Sequence, residues 1–466
     1  MVDIQLEDYE RGVKNRMNKF KDDFVWGTAA SAYQIEGGAK DQGRGDSVWD
    51  MFCRQPGMVN DGSDGLNACD HLNRYQEDVN MMSDLGIQAY RLSIAWSRVF
   101  PEGKGKINQQ GLDYYDRVVD ALLAKGIDPW ITLFHWDFPT ALYDQGGWLN
   151  RDSSDWFADY AELITDKFSD RVKNWFTLNE PQCFLGLGHQ TAQHAPGLKM
   201  TFEKVLQASH HSLLAHGKAV QAMRANAKQP LNIGAAPVGL VTYPVNNDPK
   251  LVEAARRATF DIKNLDCFSN TWYADPMLKG YYPEDGLALF EQFLPDIRNG
   301  DMETIHQPLD MYAANIYSGG PIQLNDQGEA EPANLIGSGR TTMDWNVTPE
   351  CLYWGPKFLY ERYGLPIVVT ENGVANCDWI HTNGKVEDPA RIDYVRRHLL
   401  HLRQAATDGV DVAGYFYWTI MDNFEWDRGY QQRFGLVHVD FETQKRTPKS
   451  SAYWYRDVIN SGGDIL

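Results

Sequence analysis

Asn174-Trp175-Phe176-Thr177-Leu178-Asn179-Glu180-Pro181 and Pro366-Ile367-Val368-Val369-Thr370-Glu371-Asn372-Gly373 are built to one plan. In each, a short β-prone run ends in a Glu flanked by Asn, and a chain-breaker closes it, Pro181 or Gly373. Such a string reads as a strand delivering a carboxylate at its C-terminal tip, where a β/α barrel carries its chemistry. Strand-like runs recur near 24–30, 88–94, 128–135, 231–237, 310–316 and 412–418; with 173–179 and 366–371 they make eight. Amphipathic helical stretches lie between, for example 70–85, 111–125, 154–169, 203–226, 350–363 and 391–408. Several runs barely alternate (Ile367-Val368-Val369, Tyr415-Phe416-Tyr417), which suits strands covered on both faces. The expected fold is α/β: a single (β/α)8 TIM barrel over residues 1–466, with long inserted βα loops. Thr348-Pro349-Glu350 and Asp388-Pro389-Ala390 place a cap residue before a helix-opening Pro. Turn-rich inserts at 37–65, 180–202 and 317–345 follow strand ends and are expected to rim the mouth of the site.

Composition narrows the function. With 43% hydrophobic residues in 466, the chain can bury a large core, and no Pro- or Ser-rich linker divides it. Its 63 acidic against 44 basic residues leave a formal charge of −19, which argues against nucleic acid or an anionic membrane as partner. No run of apolar residues is long enough to span a bilayer. Residues 1–23 are charged and lack the apolar core of a secretory signal, and six scattered cysteines show no CxxC or metal spacing. These features point to a cytoplasmic protein with reduced thiols, no metal and no cofactor, either monomeric or homo-oligomeric.

Two strand-tip carboxylates are what cleavage of a glycosidic bond needs: one to protonate the leaving oxygen, one to attack or to activate water. The 15 Trp, 23 Tyr and 20 Phe fit the same picture, since aromatic rings left over from core packing stack on the apolar face of a sugar.

Both strings, and much around them, resemble glycoside hydrolase family 1, the β-glucosidase family. The resemblance runs from about Phe20 to Tyr455. It takes in Phe24 through Gly37, Tyr90 through Arg98, Thr132 through Asp137, Trp418 through Tyr430 and Arg433 through Leu436. It implies a retaining, exo-acting β-glucosidase working on small-molecule β-glucosides and cello-oligosaccharides, with β-galactosidase and β-fucosidase side activities and transglycosylation. Glu180 would be the general acid/base and Glu371 the nucleophile, held and kept ionised by Arg91 and Tyr317. Gln34, His135, Trp136, Asn179, Asn315, Tyr317, Glu425 and Trp426 would bind the sugar, Asn179 at its 2-hydroxyl. Trp418 would stack on the sugar, and Trp345 would line the outer subsite.

Family members that act on 6-phospho sugars carry Ser, Lys and Tyr where this chain has Glu425, Gln432 and Phe434. A carboxylate there repels a phosphate and nothing basic replaces the Lys, so that subclass is disfavoured. The plant thioglucosidases of the family lack the acid/base Glu, which is present here. A catalytically dead sugar-binding relative is disfavoured by the intact pair of glutamates. The segment 182–196 departs from the family pattern in Gln182-Cys183-Phe184 and Gly188 through His194, which leaves the aglycone preference open. His189 and His194 read either as ligands or as surface-loop histidines without function.

Overall fold

The computed structural model describes residues 19–466. Eight parallel strands follow one another: β1 Val25–Ala30, β2 Ala89–Ser93, β3 Asp128–Phe134, β4 Asn174–Asn179, β5 Asn232–Ala236, β6 Tyr312–Asn315, β7 Ile367–Asn372 and β8 Val412–Trp418. In the sheet each lies beside its sequence neighbour, and β1 pairs with β8. The remaining seam, between β5 and β6, is bridged by backbone bonds. Asp310 N donates to Ile233 O (2.9 Å), Asn315 N to Pro237 O (3.1 Å) and Gly239 N to Asn315 O (2.9 Å). The sheet thus closes nearly completely into the barrel that the sequence predicts.

Helices pack outside it: α1 His71–Asp84, α2 Gln109–Ala124, α3 Ser153–Phe168, α4 Phe202–Asn226, α5 Pro249–Phe260, α6 Cys351–Tyr363, α7 Pro389–Thr407 and α8 Ser450–Asn460. Strand residues divide by parity. Phe416, Trp418 and Val368 belong to the cluster that fills the barrel with Trp130, Phe176 and Ala313. Tyr415, Tyr417, Ile367 and Val369 belong to the layer between strands and helices. Burial on both faces is why these runs barely alternate. The interior is tight: a Cβ on Gly27 would lie 2.4 Å from the Phe416 ring.

Two expectations need correction, and a third, the cap at Asp388, holds in position but not in its side-chain bond. Thr348 does not cap α6, which starts three residues later; its hydroxyl accepts instead from Gly319 N (2.8 Å), pinning the loop after β6. Asp388 precedes Pro389 at the start of α7, but its carboxylate serves Ser451 N (2.8 Å), Ser451 Oγ (2.6 Å) and Arg391 Nε (2.8 Å) rather than the helix end. Of the three inserts, 180–202 and 317–345 line the central cavity, but 37–65 does not. It packs behind the wall, with Trp49 buried against Trp426 at 4.5 Å between ring centroids and Asn60 N donating to Asp427 O (2.8 Å). Two large apolar side chains, Trp49 and Phe52, draw that insert inward.

Candidate active site

β4 is buried along its whole length and ends at Asn179. Glu180 follows with φ +46°, a left-handed backbone that costs a β-carbon residue of order 1–3 kcal/mol and concentrates at working sites. The kink turns the chain out of the barrel, and after Pro181 residues Gln182–Gln190 form a π-helix over the mouth. On β7, the register against β6 slips between Val369 and Glu371, so Glu371 pairs with Asn315 of β6. Gly373 ends the motif because a Cβ there would lie 1.9 Å from the Trp418 carbonyl oxygen. Trp136 (φ +78°) and Trp426 (φ +49°) share the left-handed backbone of Glu180. Three of the nine described non-glycine residues with this backbone thus line one cavity of about 380 Å³, which both glutamates also line.

The two carboxyls have different company. Arg91, inside the barrel on β2 with its guanidinium 5.4 Å above the Phe176 ring, donates Nη1 to Glu371. Tyr317 donates its hydroxyl to the other Glu371 oxygen (2.7 Å). Burial pushes the Glu371 pKa up, while Arg91, Tyr317 and Asn315 pull against it. Glu180 has a neutral amide, Asn315 Nδ2 at 2.9 Å, and the Cys183 thiol instead, and Arg91 pulls on it less than either. Its pKa is pushed up to about 8, first by burial and next by the charge of Glu371. A proton shared by the pair belongs on Glu180, while Glu371 is the better supported anion.

Around them the amides are tied into one net. Asn179 Oδ1 accepts from Arg91 Nη2 (2.6 Å) and Asn315 Nδ2 (3.0 Å), and Asn179 Nδ2 donates to His135 Nε2 (3.1 Å). Burial and Arg91 lower the His135 pKa, so the ring is neutral and Nε2 is free to accept. Trp136 Nε1 donates to Asn179 O (3.0 Å). His135, Trp136, Asn315, Tyr317, Trp345, Trp418, Glu425 and Trp426 all line the cavity, as the sequence predicts. Asn179 and Gln34 sit behind its wall. Gln34 Nε2 donates to Asn423 Oδ1 (3.1 Å), Phe424 O (2.8 Å) and Glu425 Oε2 (3.4 Å), so it steadies the strand-tip loop that carries Glu425. Glu425 is pushed up to about 8 by burial, then by Glu371, Asp427 and Glu180.

Two supporting residues escape the sequence reading. Thr132 accepts from Arg91 Nε (3.0 Å), and Thr370 donates to Asn315 Oδ1 (2.7 Å). Strand parity held the signal for Thr132, which shares the inward face of β3 with Trp130.

The family model for glycosyl hydrolase family 1 matches residues 16–464. The chain belongs to glycosyl hydrolase family 1. Within that family it is 44% identical over 456 residues to Beta-glucosidase A of Acetivibrio thermocellus, covering 95% of this chain and 99% of that one. The structure of a β-glucosidase from Thermotoga maritima in complex with glucoimidazole superposes with a TM-score of 0.87 at 40% identity, covering 96% and 100% of the two chains. An Aryl-phospho-beta-D-glucosidase of Bacillus subtilis is also similar, at 36% identity over 96% of this chain and 98% of its own length. Family 1 membership therefore makes the chain a glycosyl hydrolase and leaves the sugar to be read from the site.

Two family 1 positions that the sequence leaves open are decided by packing. His189 and His194 are both buried, His189 within the helix after Glu180 and His194 in the bend that follows it. His189 spends Nδ1 on Phe184 O (2.7 Å) and lies outside the cavity lining, which removes it as a ligand. His194 lines the cavity and pairs with Asp427 (3.2 Å), tying the segment after β4 to the one after β8. Leu187, Val238, Leu240, Phe268 and Met343 add apolar surface to the cavity lining.

Proposed function

We propose that this family 1 hydrolase is a retaining, exo-acting β-glucosidase, with Glu371 as nucleophile and Glu180 as acid/base. The observation that carries the reading is the asymmetric support of the two glutamates: a guanidinium and a phenol hold Glu371, whereas Glu180 meets a neutral amide and the Cys183 thiol. In the first step a Glu371 oxygen forms a bond to the anomeric carbon. The bond to the leaving oxygen breaks as Glu180 gives it a proton. In the second, Glu180 takes a proton from water, whose oxygen displaces Glu371 and regenerates the starting configuration. Arg91 and Tyr317 make Glu371 a competent leaving group in that step.

Terminal β-D-glucosyl units of β-glucosides and cello-oligosaccharides are the substrates. The relatives named β-glucosidase and the modest volume of the cavity support this. Glu425, which lines the cavity, is assigned to the 4- and 6-hydroxyls, while Asn179, behind the wall, acts on the sugar site through Arg91, Asn315 and His135. β-Galactosides and β-fucosides are side substrates that form their own glycosyl-enzymes, and acceptors other than water compete for the glucosyl-enzyme, in a cytoplasmic setting. Phospho-sugars are disfavoured despite the phospho-specific relative, because Glu425 is acidic and Gln432 neutral at the positions where phospho-specific members carry Ser and Lys. One plate of nitrophenyl β-glucoside, β-galactoside, β-fucoside, β-mannoside and 6-phospho-β-glucoside tests the assignment. The β-glucoside should be cleaved best and the phospho-sugar least; the reverse order overturns it.

A further inference from the structure

Beneath the loop that carries Glu425, six charged side chains form one alternating ladder. Arg433 Nη1 lies 2.7 Å from Asp422, Lys449 Nζ 2.8 Å from Asp422 and 2.6 Å from Asp378, and Arg391 pairs with Asp378 and, at 2.8 Å, with Asp388. Three acids face three bases. All are buried except Arg433, at one end, whose side chain is 21% exposed. None of the six lines the cavity. Removing this many charges from water is expensive, and an apolar set of equal volume would hold a fold as well or better. The ladder is therefore better explained by what it orients than by the stability it adds.

What it orients is the far end of the sugar site. Asp422, three residues before Glu425, also accepts Gly435 N (2.9 Å), and Lys449 N donates to Leu436 O (2.9 Å). Arg391 reaches Phe434 O (3.0 Å), Arg433 O (3.0 Å) and Val374 O, just beyond the Glu371 motif. Phe434 lines the cavity, with its ring 6.2 Å from that of Tyr317. The loop from 422 to 436 is thus held by Gln34 on one side and by Lys449 on the other.

We propose that Lys449 is a positioning residue: by anchoring Asp422 it fixes the reach of the Glu425 carboxylate and so sets discrimination at the 6-hydroxyl of the sugar. This rests on the β-glucosidase reading above. The test uses Lys449→Met and the double variant Lys449→Met/Asp422→Asn, which again balances two acids against two bases. Nitrophenyl β-glucoside is compared with its 6-deoxy analogue, following kcat, KM and Tm. Lys449→Met should lower kcat/KM on the glucoside by about tenfold, mostly through KM, and on the 6-deoxy sugar by about threefold or less. The double variant should recover Tm but not the ratio, because charge balance returns while the anchor on Asp422 does not. Equal losses on both sugars, or a ratio that recovers together with Tm, would show that the ladder only supports the barrel. If Lys449→Met does not fold, the double variant decides by the same ratio. A wild-type chain inactive on both sugars would overturn the β-glucosidase reading itself, whereas an active one with unchanged ratios in the variants overturns only the ladder.

Discussion

Glu180 and Glu371 are the same side chain given different tasks because Arg91 and Tyr317 hold Glu371, while Glu180 has only the uncharged Asn315 amide and Cys183 thiol as side-chain partners among the described residues. Glu180→Ala should leave dinitrophenyl β-glucoside able to form the intermediate, because that leaving group needs no proton. Substrates with poor leaving groups should lose on the order of 10²–10⁴-fold. Protonated Glu180 is the active form, so wild-type kcat/KM should fall as pH rises through about 8, and this alkaline limb should vanish in the variant. An unchanged limb would assign the acid elsewhere. Glu425→Ser should cost one to two decades in kcat/KM on β-glucosides, roughly 0.5–1.5 kcal/mol for each of the two hydroxyl bonds lost, and less on β-fucosides, which lack a 6-hydroxyl. Equal losses on both would remove Glu425 from the sugar. At this scale the motifs made the glutamates, Arg91 and Tyr317 legible in the sequence. The burial of Asn179 and Gln34 was not legible, because each is hidden by neighbours from distant strands.

The eight strands were legible to within two residues at either end, since each is a short run buried on both faces and closed by turn formers. What escaped depends on distance rather than period. The residues after Pro181 look like a loop, with two glycines among Gln182–Gln190, yet they form a π-helix clamped by Gln182 to Ser269 O (3.1 Å) and Val238 N (3.1 Å). The cap of Thr348 was lost to a partner 29 positions earlier. Gly373 carries the element-scale prediction. Gly373→Ala drives a Cβ into the Trp418 carbonyl, so β7 and β8 must part where Glu371 and Trp418 are presented. A loss of about 1–3 kcal/mol is expected, with kcat falling more than the small drop in Tm suggests. Unchanged kcat would mean that the tip spacing of these strands is not critical.

For the whole molecule, buried titratable groups set the pH range of stability. Glu180 and Glu425 are raised to about 8 and Asp137 to about 7, all chiefly by burial. Raised carboxyls contribute stability that is complete below their unfolded pKa and is lost as pH climbs through the folded value. His189 and His211 are lowered to about 4, and His216 and His398 to about 3, again chiefly by burial. Lowered histidines contribute stability present above 6.5 and lost as pH falls toward those values. Tm measured by calorimetry should therefore peak at about pH 6–7 and decline on both sides, with Glu180→Gln flattening the decline between pH 6.5 and 8. A Tm that rises steadily to pH 9 would contradict these burial effects. The central claim, a covalent sugar on Glu371, is open to direct observation. Incubation with dinitrophenyl 2-deoxy-2-fluoro-β-glucoside, whose fluorine slows both steps while its leaving group spares the first, should inactivate the enzyme. Peptide mass spectrometry should then find the fluoroglucosyl group on Glu371. A label on Glu180 or another residue, or no label on an enzyme that still cleaves β-glucosides, would contradict the account.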